Sequence, residues 1–199
     1  SVIESMVKSV KESPKLANLI KFLFSSKISY AYQHAHLITV ISYYILSKLN
    51  TFKPIHLELV SSAAFFSDIS LKSQEQIQIN SMEDLDNSNL EAQEKHEVLH
   101  HAKMAADLVK DYPRYADELQ VIITQHHGKE DGVGFASKPS EELHPLSKIF
   151  MVADAFVKIL LGPHGPTDKK DILPLLKERF RGKSYLKIIR ALEKRFDSP

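Results

Sequence analysis

Apolar residues recur along most of the chain at the three-to-four-residue spacing of an amphipathic helix. No segment shows the alternating pattern that predicts a half-buried strand. Over residues 28–49 this spacing predicts one inward-facing stripe on a helix that ends at Asn50. The stripe comprises Ile28, Tyr32, Ala35, Ile38, Ile41 and Ile45. The pattern therefore predicts an all-α protein, a bundle of about seven to nine helices.

Prolines, glycines and polar runs predict where the other elements begin and end. Residues 70–90 are rich in Ser, Gln, Asn and Asp, which is typical of a long loop. The remaining expected elements are a helix from Pro54 towards Asp68, a helix from Leu90 to about Lys110, a helix from Pro113 to His126–His127, a loop over 128–145, an apolar helix from Leu146 to Leu161, a loop over 162–166 and two closing amphipathic helices.

The first residues form a separate segment in this interpretation. Ser13 and Pro14 are typical of a helix start and predict an amphipathic helix to about Phe24. The sequence begins at Ser1 rather than at methionine, which suggests a fragment of a longer protein. We therefore expect residues 1–27 to be helices that connect to a missing upstream domain, and residues 28–199 to be the functional domain.

Composition and charge exclude several classes of function. The 199 residues include 26 basic and 25 acidic side chains, and this balance gives no electrostatic case for binding a nucleic-acid duplex. The absence of cysteine excludes disulfides, thiolate zinc sites and a cysteine nucleophile, and it fits a cytoplasmic location. No run approaches the roughly 18 apolar residues of a membrane span.

The chain has ten histidines, and the first pattern among them is a zinc-protease match. His96, Glu97 and His100 form an HExxH string, in which two histidines on one helical face hold zinc and the glutamate acts as general base. A third ligand is required, but the position six residues beyond His100 is Ala106. A glutamate elsewhere in the chain, such as Glu118, would have to supply this third ligand. The alternative is that this string is a solvated helix face.

A second pattern uses histidines and aspartates spread over several predicted helices. His126 and His127 are adjacent at a helix end, so that their side chains diverge by about 100°. Asp154 lies in a helix that is otherwise apolar nearly all round, where a carboxylate must be charge-paired or metal-bound. Six such residues together favour a divalent-metal site with both histidine and aspartate ligands, of the kind used for metal-assisted hydrolysis. They are His34, Asp68, His101, His126, His127 and Asp154.

Five blocks around these residues, in order, resemble the HD-GYP domain of the HD phosphohydrolase superfamily, which hydrolyses cyclic di-GMP. The resemblance covers roughly residues 28–160 and implies an HD-domain-like bundle. It also places His101 rather than His100 at the ligand position. The blocks are YQHAHLITV around His34, AAFFSDIS over 63–70, HHAKMAADLV over 100–109, QHHGKEDGVGFA over 125–136 and ADAF over 153–156.

The resemblance implies a binuclear metal centre that activates a bridging water. Asp68 would bridge the two ions and be central to catalysis. His34 and Asp154 would complete the shell of one ion, and the remaining three histidines that of the other. Iron or manganese is expected, and zinc or nickel would also suit these ligands. Lys72 is the candidate cation beside the scissile phosphate, and the candidate substrate-loop residues are Gly132, Gly134 and Phe135.

The chain departs from the family pattern at several positions. Ser67 replaces the histidine of the HD pair, and Leu71, beside Lys72, replaces a lysine. Gly128 follows the histidine pair in place of a glutamate. GVGFA replaces GxGYP, so that Phe135 and Ala136 stand for tyrosine and proline. Tyr30 stands where some members carry a glutamate for a third metal.

Three functions remain open at this stage. The first is a cyclic di-GMP phosphodiesterase with a modified active site. The second is a catalytically degenerate domain that binds metal or nucleotide and signals to a partner domain, for which the loop over 128–145 is the candidate surface. The third is an HD-type phosphohydrolase for another phosphoester. An oligomer is compatible with each of the three.

Overall fold

A computed structural model describes residues 30–49, 53–112, 114–162 and 171–193. These ranges contain nine helices and no strand, which confirms the predicted all-α bundle. The helices are α1 (Tyr30–Lys48), α2 (Pro54–Phe66), α3 (Gln74–Gln78), α4 (Met82–Asn87), α5 (Ala92–Leu108), α6 (Ala116–Gln125), α7 (Pro145–Leu161), α8 (Ile172–Arg179) and α9 (Lys183–Glu193). The helices expected within residues 1–27 lie outside the described ranges, as does most of the loop over 162–166.

Helix α7 lies at the centre of the bundle. It packs against α1, α2, α6, α8 and α9, and twelve consecutive residues, Leu146–Val157, are buried. A helix that is apolar nearly all round can be stable only when neighbours cover every face. Pro145 opens the helix, and His144 Nδ1 accepts a hydrogen bond from the Leu146 N–H. The predicted start at Leu146 is therefore correct to one residue.

The expected loop over 70–90 is wrong in part, because it contains the short helices α3 and α4. The hydroxyl of Ser73 accepts a hydrogen bond from the Gln76 N–H, and that of Ser81 accepts one from the Asp84 N–H. Each serine thus caps the first turn of a helix. One side chain of each helix is buried, Gln76 in α3 and Leu85 in α4. These helices were not predicted because serine and other polar residues are typical of loops as well as of helix caps.

Two further sequence expectations require correction. Tyr32 does not belong to the inward stripe of α1, because its side chain is 40% exposed. The buried positions of that helix are His34, Ile38, Ser42, Ile45 and Leu46. Helix α6 begins at Ala116 rather than near 113, because Tyr115 has a left-handed backbone with φ of 55° that cannot continue a right-handed helix.

Within the described ranges, no helix combines the length and the apolar character that crossing a membrane requires.

Candidate metal centre

The six predicted ligands come from five parts of the bundle and meet in one interior region. His34 lies on α1, Asp68 follows the end of α2, and His101 lies on α5. His126 and His127 immediately follow α6, and Asp154 lies midway along α7. Contacts of 4 Å or less join all six side chains, directly or through one another. Helix packing thus brings together residues that are up to 120 positions apart in sequence.

Three imidazole rings converge through the same ring nitrogen. His101 Nε2 lies 3.2 Å from His126 Nε2 and 3.0 Å from His127 Nε2. Asp68 Oδ1 lies 3.5 Å from His101 Nε2 and 3.9 Å from His126 Nε2. The ligand atoms of these four residues all lie within 4.8 Å of one another. Metal–nitrogen bonds of about 2.0–2.1 Å place neighbouring ligands about 3.0–3.4 Å apart, so the spacing fits one ion.

Backbone carbonyls determine which nitrogens of two rings carry the proton. His101 Nδ1 is 2.5 Å from the Val98 carbonyl oxygen, and His126 Nδ1 is 2.6 Å from that of Ile123. A carbonyl only accepts hydrogen bonds, so Nδ1–H is the donor in both rings. In the neutral rings, each Nε2 therefore presents a lone pair. A metal-binding histidine is oriented by this kind of hydrogen bond.

Two facing lone pairs repel each other unless a cation lies between them. Burial lowers the pKa of both His101 and His126 to about 4, and it lowers the pKa of His127 well below its ordinary value. A proton therefore does not supply this cation at neutral pH. The donor set, three unprotonated imidazoles and one carboxylate, fits a divalent transition metal.

Asp68 connects this cluster with the other predicted half of the centre. Its Oδ1 atom faces His101 and His126, whereas Oδ2 lies 3.9 Å from His34 Nδ1. The Asp68 side chain is 18% exposed, while the histidines around it are buried. Asp68 is therefore the most exposed of the six predicted ligands, and this is the side on which water or a ligand would reach the cluster.

The second half contains His34, Asp154 and a lysine. His34 Nε2 lies 3.0 Å from Asp154 Oδ1. Lys158 Nζ lies 3.0 Å from the other carboxylate oxygen of Asp154. Burial alone would raise the pKa of Asp154, but the Lys158 ammonium and the His34 ring hold it below its usual range. The carboxylate is therefore ionised and paired with a cation.

Lys158 lies in the centre, although it is not among the six ligands predicted from the sequence. Its ammonium contributes to the lowered pKa values of the three converging histidines. The available signal was its position four residues after Asp154 in an otherwise apolar stretch, because residues i and i+4 share a helical face. Such pairs are common on helix surfaces, so the spacing alone did not indicate a functional residue.

Tyr30 covers the His34 side of the centre. The two rings are stacked, with centroids 5.6 Å apart and an interplanar angle of 14°. Burial raises the pKa of Tyr30 to about 12, and the carboxylates of Asp154 and Asp68 add to this effect. The phenol therefore remains protonated at neutral pH and can donate a hydrogen bond. The carboxylate found here in some HD-GYP domains is absent.

Lys72 is held at the surface by a residue of the HExxH string. Its Nζ donates hydrogen bonds to both carboxylate oxygens of Glu97, at 2.7 and 2.8 Å. The Lys72 side chain is 70% exposed. The rings of His96 and His100 stack on each other with centroids 4.1 Å apart. Within the described ranges these residues do not belong to a cluster of three or more ligands, so the zinc-protease alternative has no third ligand there.

The glycine-bearing loop packs over the histidine cluster. Gly132 and Gly134 have φ values of 68° and 70°. A Cβ at Gly132 would lie 2.8 Å from Thr124 Cγ2, so glycine allows the loop to approach α6 closely. The Gly134 N–H donates a hydrogen bond to the Leu99 carbonyl of α5. The two glycines thus have a structural reason to be present, apart from the predicted contact with substrate.

Phe135 is enclosed by this loop and is only 6% exposed. Its ring centroid lies 4.4 Å from that of His127. On its other side, it belongs to a small apolar cluster with Ile79, Leu85 and Val98. The described structure thus encloses Phe135, and a contact of its ring with substrate stays a prediction. Its observed contact restrains the orientation of His127.

Comparison with protein-family models and with curated proteins finds no match for this chain. The interpretation of the centre consequently depends on the distances, burial and protonation described above.

Proposed function

We propose that this chain is a metal-dependent phosphodiesterase of the HD-GYP type that acts on cyclic di-GMP in the cytoplasm, with a modified active site. The observation that carries the proposal is the convergence of three neutral imidazoles, through their Nε2 atoms, with Asp68 Oδ1. Three imidazoles and a carboxylate suit iron or manganese and also zinc or nickel. The order of the sequence blocks supports the HD-GYP assignment and, through it, the substrate.

The ligand residues hold the ion and leave one side accessible. When bound, a divalent ion lowers the pKa of a water molecule and polarises a phosphoryl oxygen. His101, His126, His127 and Asp68 would hold it. Asp68, as the partly exposed member, would orient the attacking water towards the phosphorus. The water oxygen would bond to phosphorus as the bond from phosphorus to the 3′-oxygen breaks, the proton lost by the water would pass to that 3′-oxygen, and the product would be a linear dinucleotide.

Two cationic or proton-donating groups lie in the centre in which the phosphate would react. Lys158 carries a buried positive charge on the Asp154 side of the centre. Tyr30 keeps its phenolic proton at neutral pH. Charge that develops on a phosphate is stabilised by donors fixed in a poorly hydrated site. Lys72 is less suited to this role while it is paired with Glu97 on the surface.

A second candidate function is a metal-binding signalling domain without turnover. The observation in its favour is the burial of Phe135 together with the pairing of Lys72, which removes both candidate substrate contacts from the surface around the centre. In this alternative, the metal stabilises the packing of α5 against the end of α6, and the loop over 128–145 is the surface for a partner domain. The third alternative is hydrolysis of another phosphoester.

Turnover of cyclic di-GMP by the metal-loaded chain tests the proposal. The purified chain is reconstituted with Fe(II) or Mn(II), and formation of the linear dinucleotide is followed by chromatography. We expect turnover by the wild type and its loss in Asp68→Ala, which also removes a metal ligand. Asp86→Ala is the matched control, because Asp86 is an exposed aspartate on α4. It should keep both metal and turnover.

The outcomes separate the candidate functions. A chain that binds metal but does not hydrolyse cyclic di-GMP excludes the phosphodiesterase, and hydrolysis of a different phosphoester then identifies the third alternative. If no phosphoester is hydrolysed, the signalling domain is favoured. A chain that binds no divalent metal, or an Asp68→Ala variant that keeps its turnover, refutes the metal centre itself.

A further inference from the structure

Lys158 lies on the side of the centre where the HD-GYP resemblance predicts the second metal ion, beside Asp154. Its side chain and that of Asp154 are each only 8% exposed, and Nζ lies 3.0 Å from Asp154 Oδ2. The opposite oxygen, Oδ1, faces the Nε2 atom of His34 at 3.0 Å. The carboxylate predicted to bind a second metal is thus already paired with an ammonium.

The remaining ligands on this side do not converge as those of the histidine cluster do, because His34 faces Asp154 through Nε2 and Asp68 through Nδ1. A second ion would have His34, Asp154 and the Oδ2 atom of Asp68, because buried Ser67 stands where the HD pair has its histidine. A hydroxyl is a much weaker ligand for a transition metal than an imidazole. The donor set on this side therefore does not fit a second divalent ion while Lys158 is in place.

Charge balance leads to the same conclusion. One divalent ion in the histidine cluster, together with Lys158, already supplies more positive charge than the carboxylates of Asp68 and Asp154 neutralise. A second ion would add two further positive charges beside a buried ammonium, where poor screening makes repulsion strong. If the Lys158 ammonium moved away, the buried Asp154 carboxylate would lose its cationic partner unless the second ion bound that carboxylate directly.

We infer that Lys158 takes the place of the second metal ion, so that the centre binds one divalent cation and one lysine ammonium. The inference rests on the metal centre of the proposed function and deepens it. It assigns the single ion to Asp68, His101, His126 and His127. It assigns Lys158 the role of neutralising Asp154 and of supplying fixed positive charge on the other side of Asp68.

Metal stoichiometry tests this assignment without relying on activity. The full chain is stripped with chelator, reconstituted with excess Mn(II), passed through a desalting column and analysed by elemental mass spectrometry. We expect one ion per chain in the wild type and in Ser67→His, because Lys158 remains in both. In the double variant Ser67→His/Lys158→Met, we expect two ions, because a histidine ligand is added and the competing ammonium is removed.

Two variants control for the change of charge. Lys158→Arg keeps a cation on α7 and should retain one ion even in the Ser67→His background. Lys187→Met removes an exposed lysine of α9 and should leave the stoichiometry at one. Electron paramagnetic resonance gives an independent readout, because two neighbouring Mn(II) ions couple magnetically and a single ion does not. The coupled signal should appear only in the double variant.

Each result has a distinct meaning. Two ions in the wild type or in Ser67→His overturn the inference but leave the proposed metal-dependent function intact. A double variant that folds and still binds one ion also overturns it, because Lys158 would not be what excludes the second ion. No ion in the wild type refutes the metal centre as well. If the double variant does not fold, Ser67→His/Lys158→Gln replaces it in the same measurement, with two ions expected and one ion overturning the inference.

Discussion

Acidification should destabilise the metal-free protein through the converging histidines. In the folded chain, burial lowers the pKa of His101 and His126 from 6.5 to about 4. The unfolded chain therefore binds protons on these rings below about pH 6.5, whereas the folded chain does not until about pH 4. Stability is complete above pH 6.5 and is lost as the pH falls towards 4.

The expected loss is large compared with the stability of an ordinary domain. Each pKa unit corresponds to about 1.4 kcal/mol, so each ring contributes up to about 3 kcal/mol, of which about 2 kcal/mol is lost by pH 5. Both rings together give about 4 kcal/mol, against a typical free energy of unfolding of about 5–15 kcal/mol. For a domain of this size, the melting temperature should fall by roughly 10 °C.

Thermal and urea unfolding of the chelator-treated chain, followed by circular dichroism between pH 8 and pH 5, measure this loss. The variant His126→Gln removes one titrating ring, so its free energy of unfolding should depend less steeply on pH, by up to about 1.4 kcal/mol per pH unit. His36→Gln, which removes an exposed histidine of α1, is the matched control and should follow the wild type.

Two results would refute the reasoning. The first is a free energy of unfolding that does not change between pH 8 and pH 5 in the metal-free wild type. The second is a His126→Gln variant whose pH dependence equals that of the wild type. Either would mean that the rings are not held neutral in a buried cluster, and the argument that a metal ion separates their lone pairs would then lose its basis.

Two other predictions follow from buried aromatic side chains. Phe135→Ala should weaken metal binding by about 10- to 100-fold in titration calorimetry, because the ring that restrains a ligand histidine is lost, and should lower the free energy of unfolding by about 3 kcal/mol. Phe135→Leu keeps most of the volume and should weaken binding less; equal affinity in all three proteins would contradict this role. Burial raises the pKa of Tyr30 and Tyr185 to about 12, so their phenols should ionise well above pH 10 in an absorbance titration, and stability should fall as the pH rises from 10 towards 12. If Tyr185→Phe leaves the high-pH part of that titration unchanged, the assignment of Tyr185 is wrong.

The sequence by itself determined the helical architecture, because helix signals are local. Apolar periodicity and prolines at first turns mark most boundaries to within a few residues. The six predicted ligands were also accessible from the sequence. They stand out as polar residues in apolar segments, or match motifs whose order in the chain indicated a shared site. The short helices α3 and α4 were missed because their polar residues serve as caps.

Only the tertiary structure decided how the predicted residues are used, because pairing depends on contacts between segments far apart in the chain. The pairing of Lys72 with Glu97 and the burial of Phe135 against His127 were not predicted from the motifs that contain these residues. The clearest case is Lys158. Its spacing from Asp154 is visible in the sequence, but only the packing of α1, α2, α6, α8 and α9 around α7 excludes most water from the pair. That exclusion makes the lysine a competitor for the second metal ion.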